Sequence, residues 1–369
     1  MKRIKAIPHQ VGEKGSHCGA KPAGGIHSIL HIGNFLSSRG ISRQFVEELA
    51  DRMQSTGWSV FRTSFVLFRP ARLLDMVKNI LVHRNEYRVA HISIFSGRAF
   101  LWAMASAYTL RLIQRPFVIS LHGGNLPDFA RRWPTIVRWL MTSASAAVCP
   151  SNYLFKVFKP LRADLRLLPN PIEIRDYAFK HRQQPKPHLI WLRAFHRIYN
   201  PVLAPQALNL LKDEFPEITI SMIGSDRRDG SLAETTAVAT ELRVLDRIRF
   251  VGKVPKDEVP GWLNTGDVFV NTTNIDNTPT SILEAMASGL CIVSTNVGGV
   301  PFLLDDGTDA LLVPPGDPER MATAIRRILT EPGMAGRLSQ NARNKVEKFD
   351  WSYVLPQWQE LFIKCAEGT

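Results

Sequence analysis

The chain has 369 residues, a net charge of +13 and 45% hydrophobic residues. That length and apolar content predict two globular domains and exclude a disordered or fibrous chain. Cys18, Cys149, Cys291 and Cys365 have no paired spacing, which argues against a disulfide frame or a zinc site and for reduced, cytosolic thiols.

No apolar core follows the basic N-terminus, so no secretory leader is expected, and the longest apolar run, Ala99 to Leu110, is too short to span a bilayer. The first 175 residues hold 25 Lys and Arg against 9 Asp and Glu, whereas the rest hold 21 against 24. An excess confined to one half suggests an anionic partner, nucleic acid or an anionic membrane face, unless it serves only solubility.

Residues 1–25, rich in Lys, Gly and His, read as a flexible lead-in. Ile29 to Phe35 is the first strand, Ser37 to Gly40 its loop, and Ser42 to Ser55 an amphipathic helix with Phe45, Val46, Leu49 and Met53 inward. Val60 to Phe65 is the second strand. This opening is a weak phosphate-cradle signal, because the G-x-G-x-x-G pattern is absent. Val89 to Phe95 is a strand, Ala99 to Leu112 a helix, and Phe117 to Leu121 a strand running into His122-Gly123-Gly124. A histidine there faces the ligand side of an α/β sheet, although a lone histidine more often pins a turn. Arg131 to Leu140 reads as a basic aromatic helix suited to anionic lipid, with core packing of Trp133 or Trp139 as the alternative. Ala146 to Cys149 and Leu167 to Pro171 are the last strands before a crossover between domains.

Arg182 to Pro187 reads as a linker. Leu189 to Leu192 is the next strand, with Arg193 at its carboxyl end. Helix Ala204 to Phe215, strand Ile218 to Ile223, a turn at Gly224, helix Leu232 to Leu242 and strand Ile248 to Val251 follow. After the loop at Lys253-Val254-Pro255 come helix Glu258 to Asn264 and strand Val268 to Asn271. Leu311 to Pro314 is a strand and Pro318 to Thr330 a helix, and Phe349-Asp350-Trp351 opens the terminal helix. Strands and helices alternating in both halves predict two doubly wound α/β domains, 26–180 and 188–348.

Between them in importance lies Asp276 to Pro301, DNTPTSILEAMASGLCIVSTNVGGVP. Thr280 or Ser281 can cap a helix whose third position is close to Glu284, and Gly289 ends it. Cys291 to Ser294 is a buried strand. Asn296 to Gly299 is a glycine turn where backbone can approach a ligand. The helix N-terminus at Thr280, Ser281 and Ile282 offers free N–H groups and a positive dipole end to a phosphate.

This stretch resembles the signature of retaining GT-B glycosyltransferases of family 4: Glu, seven residues, Glu, then Ala-Met-Ala-x-Gly and a Gly-Gly-x-Pro-Glu turn. Glu284 matches the second glutamate, Asp276 stands in place of the first, and Phe302 replaces the glutamate after Pro301. The resemblance runs from about Ile29 and is strongest over 189–330. It implies two Rossmann-like domains facing a cleft, with residues 349–369 crossing back onto the first. It implies donor-diphosphate binding by Arg193, Thr280, Ser281, Ile282 and Gly40, with Arg197 as substitute for a lysine whose place Ile198 holds. Gly224, Lys253, Val254, Leu283 and Glu284 would meet the nucleotide. Asp276 would face the donor sugar, and His122 the reaction centre.

The expected activity is sugar transfer from a UDP- or GDP-type nucleotide sugar to a sugar or lipid-linked acceptor, with retention and without metal or other cofactor, since no Asp-x-Asp pair occurs. Cell-surface polysaccharide or glycolipid synthesis fits the basic first half, with cytoplasmic location and peripheral contact at an anionic membrane. The competing readings are a non-catalytic nucleotide-binding or nucleic-acid-binding scaffold and a nucleotide-sugar epimerase. Neither a recognition helix nor an aromatic-basic RNA motif is visible, so no nucleic acid is expected.

Overall fold

The computed structural model describes residues 25, 27–39, 43–123 and 125–368. The lead-in 1–24, Gly40 and Gly124 lie outside the described residues.

Twelve strands form two six-stranded sheets, parallel throughout. The first contains β1 (Ser28–Ile32), β2 (Ser59–Thr63), β3 (Val89–Ile94), β4 (Phe117–Leu121), β5 (Ala146–Cys149) and β6 (Arg166–Leu167), in the order β2-β1-β3-β4-β5-β6. The second contains β7 (His188–Leu192), β8 (Thr219–Ile223), β9 (Ile248–Gly252), β10 (Val268–Asn271), β11 (Cys291–Thr295) and β12 (Leu311–Val313), in the order β12-β11-β10-β7-β8-β9. Their continuous apolar runs fit strands covered on both faces by helices. Leu189, Trp191, Ile220 and Val293 pack into one layer of the second domain, and Ile190, Phe269 and Ile292 into the other. The described cysteines Cys149, Cys291 and Cys365 are buried and unpaired.

The terminal helix Trp351–Glu367 starts at Asp350, whose side chain accepts from the Ser352 N–H at 2.8 Å. Its Trp351, Trp358 and Phe362 pack against Ile29, Leu49, Val89 and Val118 of the first domain.

Several expected elements differ. The strand read at 167–171 shrinks to Arg166–Leu167, because Pro169 and Pro171 have no N–H to continue a ladder. The basic aromatic helix is two helices, Leu126–Arg132 and Pro134–Ser143, broken at Trp133, whose backbone is pushed out of the helical region before Pro134. Trp133 is exposed and Trp139 packs on the core. Helices Arg69–Val82, Asn152–Phe158 and Met334–Val346 were not read from the sequence. The expected linker is anchored: buried Arg182 donates to the Ser288 carbonyl, to the Gly266 carbonyl at 3.1 Å and to Asp267 at 3.3 Å. A guanidinium with five donors thus satisfies a carbonyl left over at the end of helix Thr280–Ser288.

Candidate active site in the interdomain cleft

Strand β7 lies between β8 and β10, so the order of the second sheet reverses there. Ligands of doubly wound sheets bind outside the carboxyl ends of strands at such a point. Arg193 follows β7, and Asp276 lies in the loop after β10. Their side chains form an ion pair. The Arg193 guanidinium also lies 4.6 Å from the centre of the Tyr199 ring. Burial lowers the Arg193 pKa, opposed by the neighbouring Tyr199 and Glu284.

Helix Thr280–Ser288 opens at the same place. Its cap residue is Pro279, not Thr280 or Ser281, and no side chain caps it. The Ile282 and Leu283 N–H groups donate to the Pro279 carbonyl. The preceding N–H groups of Thr280 and Ser281 are left free of the helix ladder, and the buried Thr278 and Ser281 hydroxyls have no partner among the described residues. Uncapped amides with orphaned hydroxyls form a set of donors suited to an anion.

Glu284 is not half of a capping box. It is buried, and its Oε1 accepts from the Tyr177 hydroxyl at 3.0 Å. Burial raises its pKa, against the lowering effects of that hydrogen bond, Lys256 and Arg193. Thr280, Glu284, Tyr177 and Lys256 line a cleft of about 610 Å³, together with Glu48 and Arg52 of the first domain. A second space of about 330 Å³ is lined by Asp276, Thr278 and Tyr199 on one side and by Gly123 and Asn125 on the other.

His122 follows β4, beside Gly123. Its ring stacks on Phe95 with centroids 5.3 Å apart and meets Phe45 at 5.7 Å. Its Nε2 is 2.9 Å from the Ser120 hydroxyl. Burial pulls its pKa down to about 4, so the ring is neutral at pH 7.

Other expected site residues lie elsewhere. Arg197 is exposed; its backbone N–H donates to Asp229 at 2.7 Å, and it lines neither space. Ile198, in the lysine's place, does line the smaller space. Lys253 is exposed and Val254 packs against the core, while Lys256 reaches the cleft. Ile282 and Leu283 are fully buried core residues. A Cβ on Gly224 would lie 1.7 Å from the Arg193 carbonyl oxygen, so its bareness serves the fit between neighbouring strand ends. A Cβ on Gly298 or Gly299 would collide with the Asp276 or Asn277 carbonyl. The glycine turn therefore approaches the chain's own Asp276 loop, and its closeness to a ligand runs through that loop.

Phe302 faces the first domain: Lys156 sits 4.7 Å above its ring and Tyr153 is 6.3 Å away. Ser151 and Asn277 hydrogen-bond across the same gap. Sequence reasoning missed Tyr177, Lys256, Tyr199 and Asn277. Asn277 and Thr278 lay inside the singled-out stretch, whereas Tyr177 had no motif to mark it. Among the described residues no group of His, Cys, Asp and Glu is arranged to hold a metal, and no helix is long and apolar enough to cross a membrane.

Residues 186–331 match the family model described as "Glycosyl transferases group 1". Glycogen synthase of Mycobacterium tuberculosis is 23% identical over 299 residues, covering 78% of this chain and 69% of that one. Sucrose-phosphate synthase from Thermosynechococcus elongatus superposes with a TM-score of 0.74 at 18% identity, covering 93% of this chain and 100% of the other. Anabaena HepE, solved in complex with UDP, superposes with a TM-score of 0.73 at 17% identity, covering 90% and 99%; it has also been solved with UDP-glucose. The matches, with the two facing parallel sheets, support a group 1 glycosyltransferase of GT-B fold.

Proposed function

We propose that this protein moves a sugar from a nucleotide-diphosphate sugar to an acceptor in the interdomain cleft, with retention of anomeric configuration. The observation that carries the reading is the convergence at one strand-order reversal of Arg193, the uncapped amides of Thr280 and Ser281, two unpartnered hydroxyls and Glu284. As the sugar–oxygen bond breaks, negative charge grows on the leaving diphosphate. Preorganised donors aimed at that charge stabilise the transition state, and metal is dispensable to such a site.

In this reading Glu284 accepts hydrogen bonds from the ribose and Arg193 leaves Asp276 for the diphosphate. Asp276 then faces the donor sugar, with neutral His122 opposite. The acceptor attacks from the side of the leaving group, as the family resemblance implies. HepE's capture with UDP and UDP-glucose favours a UDP-type donor. Contacts such as Ser151–Asn277 bring the domains together and exclude water.

The acceptor is proposed to be lipid-linked, in glycolipid or cell-surface polysaccharide synthesis at an anionic membrane face. Leu74 on helix Arg69–Val82, and Leu101, Tyr108 and Leu112 on the adjoining helix Ala99–Leu112, are exposed in the basic half of the chain. Apolar side chains among arginines suit an anionic bilayer surface.

Purified protein titrated with UDP-, GDP-, ADP- and dTDP-sugars tests the donor site. Saturable binding of one nucleotide, lost in Glu284→Ala, is the expected result. Folded protein that binds none of them would favour a scaffold without catalysis.

A further inference from the structure

A hydrogen-bonded chain runs through the first sheet to the edge of the cleft. His31 on β1 and His91 on β3 meet Nδ1 to Nδ1 at 3.0 Å. His91 Nε2 is 2.8 Å from the Ser120 hydroxyl on β4, which is 2.9 Å from His122 Nε2. His31, His91 and Ser120 are buried, with Phe362 and Trp358 of the terminal helix against the histidine rings. All three rings are neutral at pH 7: burial lowers His31 to about 3 and His122 to about 4, and His91 falls well below its ordinary value.

Neutral imidazole carries one N–H and one lone pair, and the hydroxyl donates one proton. Each contact therefore needs one donor and one acceptor. The Ser120 oxygen can accept twice, but its buried O–H has no other acceptor among the described residues, so it donates to one ring and accepts from the other. Fixing one proton then fixes them all, and two arrangements satisfy the chain. They differ at its inner end, where His31 Nε2 is buried and has no partner among the described residues. A buried N–H without an acceptor is the rarer defect, so that atom holds the lone pair. Then His31 Nδ1–H donates to His91 Nδ1, His91 Nε2–H to Ser120, and the Ser120 O–H to His122 Nε2. His122 is left with its proton on Nδ1, the nitrogen with no partner among the described residues.

We infer that His31, His91 and Ser120 are positioning residues that hold His122 as its Nδ1–H tautomer, so that the ring presents a hydrogen-bond donor to an oxygen of the bound sugar. The role toward substrate rests on the transferase reading; the tautomer does not. Free neutral histidine in water favours the Nε2–H form, so the chain works against the intrinsic preference of the ring.

The test is ¹⁵N NMR of histidine-labelled full-length protein at pH 7, with His122→Gln assigning the resonance. The wild type is expected to show His122 protonated on Nδ1, and Ser120→Ala to return it toward the Nε2–H form. Protonation on Nε2 in the wild type, or an unchanged His122 spectrum in Ser120→Ala, overturns the inference. With turnover, Ser120→Ala should lower kcat by about tenfold while donor KM stays within about twofold. Unchanged kcat beside the shifted tautomer would overturn the positioning role. Absence of turnover in the wild type, with the predicted spectra, would fault the transferase reading and leave the tautomer assignment standing.

Discussion

Arg193 and Asp276, one after β7 and the other after β10, neutralise each other at the point where the second sheet reverses its strand order. An anionic ligand reaching Arg193 must displace a carboxylate. On the proposed function, that exchange ties donor binding to the release of Asp276. Asp276→Asn should therefore bind free UDP at least as tightly as the wild type and turn over far more slowly. Arg193→Ala should lose both, with a fall of about a hundredfold in kcat/KM, the scale of a charge-assisted hydrogen bond of about 2–3 kcal/mol. Calorimetry with UDP beside steady-state rates checks the pair. Weaker UDP binding by Asp276→Asn would contradict the exchange.

Glu284 should cost the ligand-free fold stability. Burial raises its pKa above the unfolded value, so the unfolded chain holds fewer protons through the carboxylate range. Its share of stability is present below the ordinary carboxylate pKa and is lost as pH rises through the raised one. Glu284→Gln keeps an acceptor for the Tyr177 hydroxyl and removes the buried charge. The variant should melt higher than wild type at pH 7, match it near pH 4, and bind donor poorly. Thermal scans across that range give the comparison.

The buried histidines act in the opposite direction. Their folded pKa values lie below 6.5, so the unfolded state binds more protons as pH falls from about 6.5 toward 4. Each can remove up to about 1.4 kcal/mol per pH unit across that window. Urea unfolding at pH 7 and pH 5 should show a steep loss, shallower in His91→Phe. Equal stability at both values would argue against neutral, buried imidazoles.

Phe302 should act as a contact between domains. Phe302→Ala removes a ring under Lys156, worth about 0.5–1 kcal/mol, and should raise the radius of gyration in X-ray scattering while each domain stays folded. Phe302→Glu restores the carboxylate of the resembled motif and pairs with Lys156 instead. Unchanged scattering in Phe302→Ala would exclude a role in closure.

Much of this was legible in the chain. The alternation of apolar runs gave both sheets, and the stretch 276–301 gave the helix, strand and turn around which the site is built. Arg193 stands at the carboxyl end of its strand, as read, and Glu284 stands on the expected helix, though bonded to Tyr177 and not in a capping box. What stayed hidden depends on contacts distant in sequence. Tyr177 matters only because folding brings it to Glu284. Lys253 and Lys256 cannot be ranked until the loop's direction is known. Arg197 looked like a replacement cation by position, but its backbone is held by Asp229 and its side chain is exposed. Pro279 took the cap from Thr280 because the chain enters extended there. Helix Arg69–Val82 escaped because its outer face carries Leu74, Leu81 and Val82 in place of polar residues.

Trp351, Trp358 and Phe362 cover a face of the first sheet, although β1 was made more than three hundred residues earlier. On the ribosome that face waits, apolar and uncovered, until the whole second domain has emerged. The second domain has its core within residues made consecutively, so it can fold first, reversing the usual N-terminal lead. The uncovered face is the chain's window for chaperone capture. Removal of residues 351–368 should leave donor binding to the second domain while the first becomes prone to aggregate.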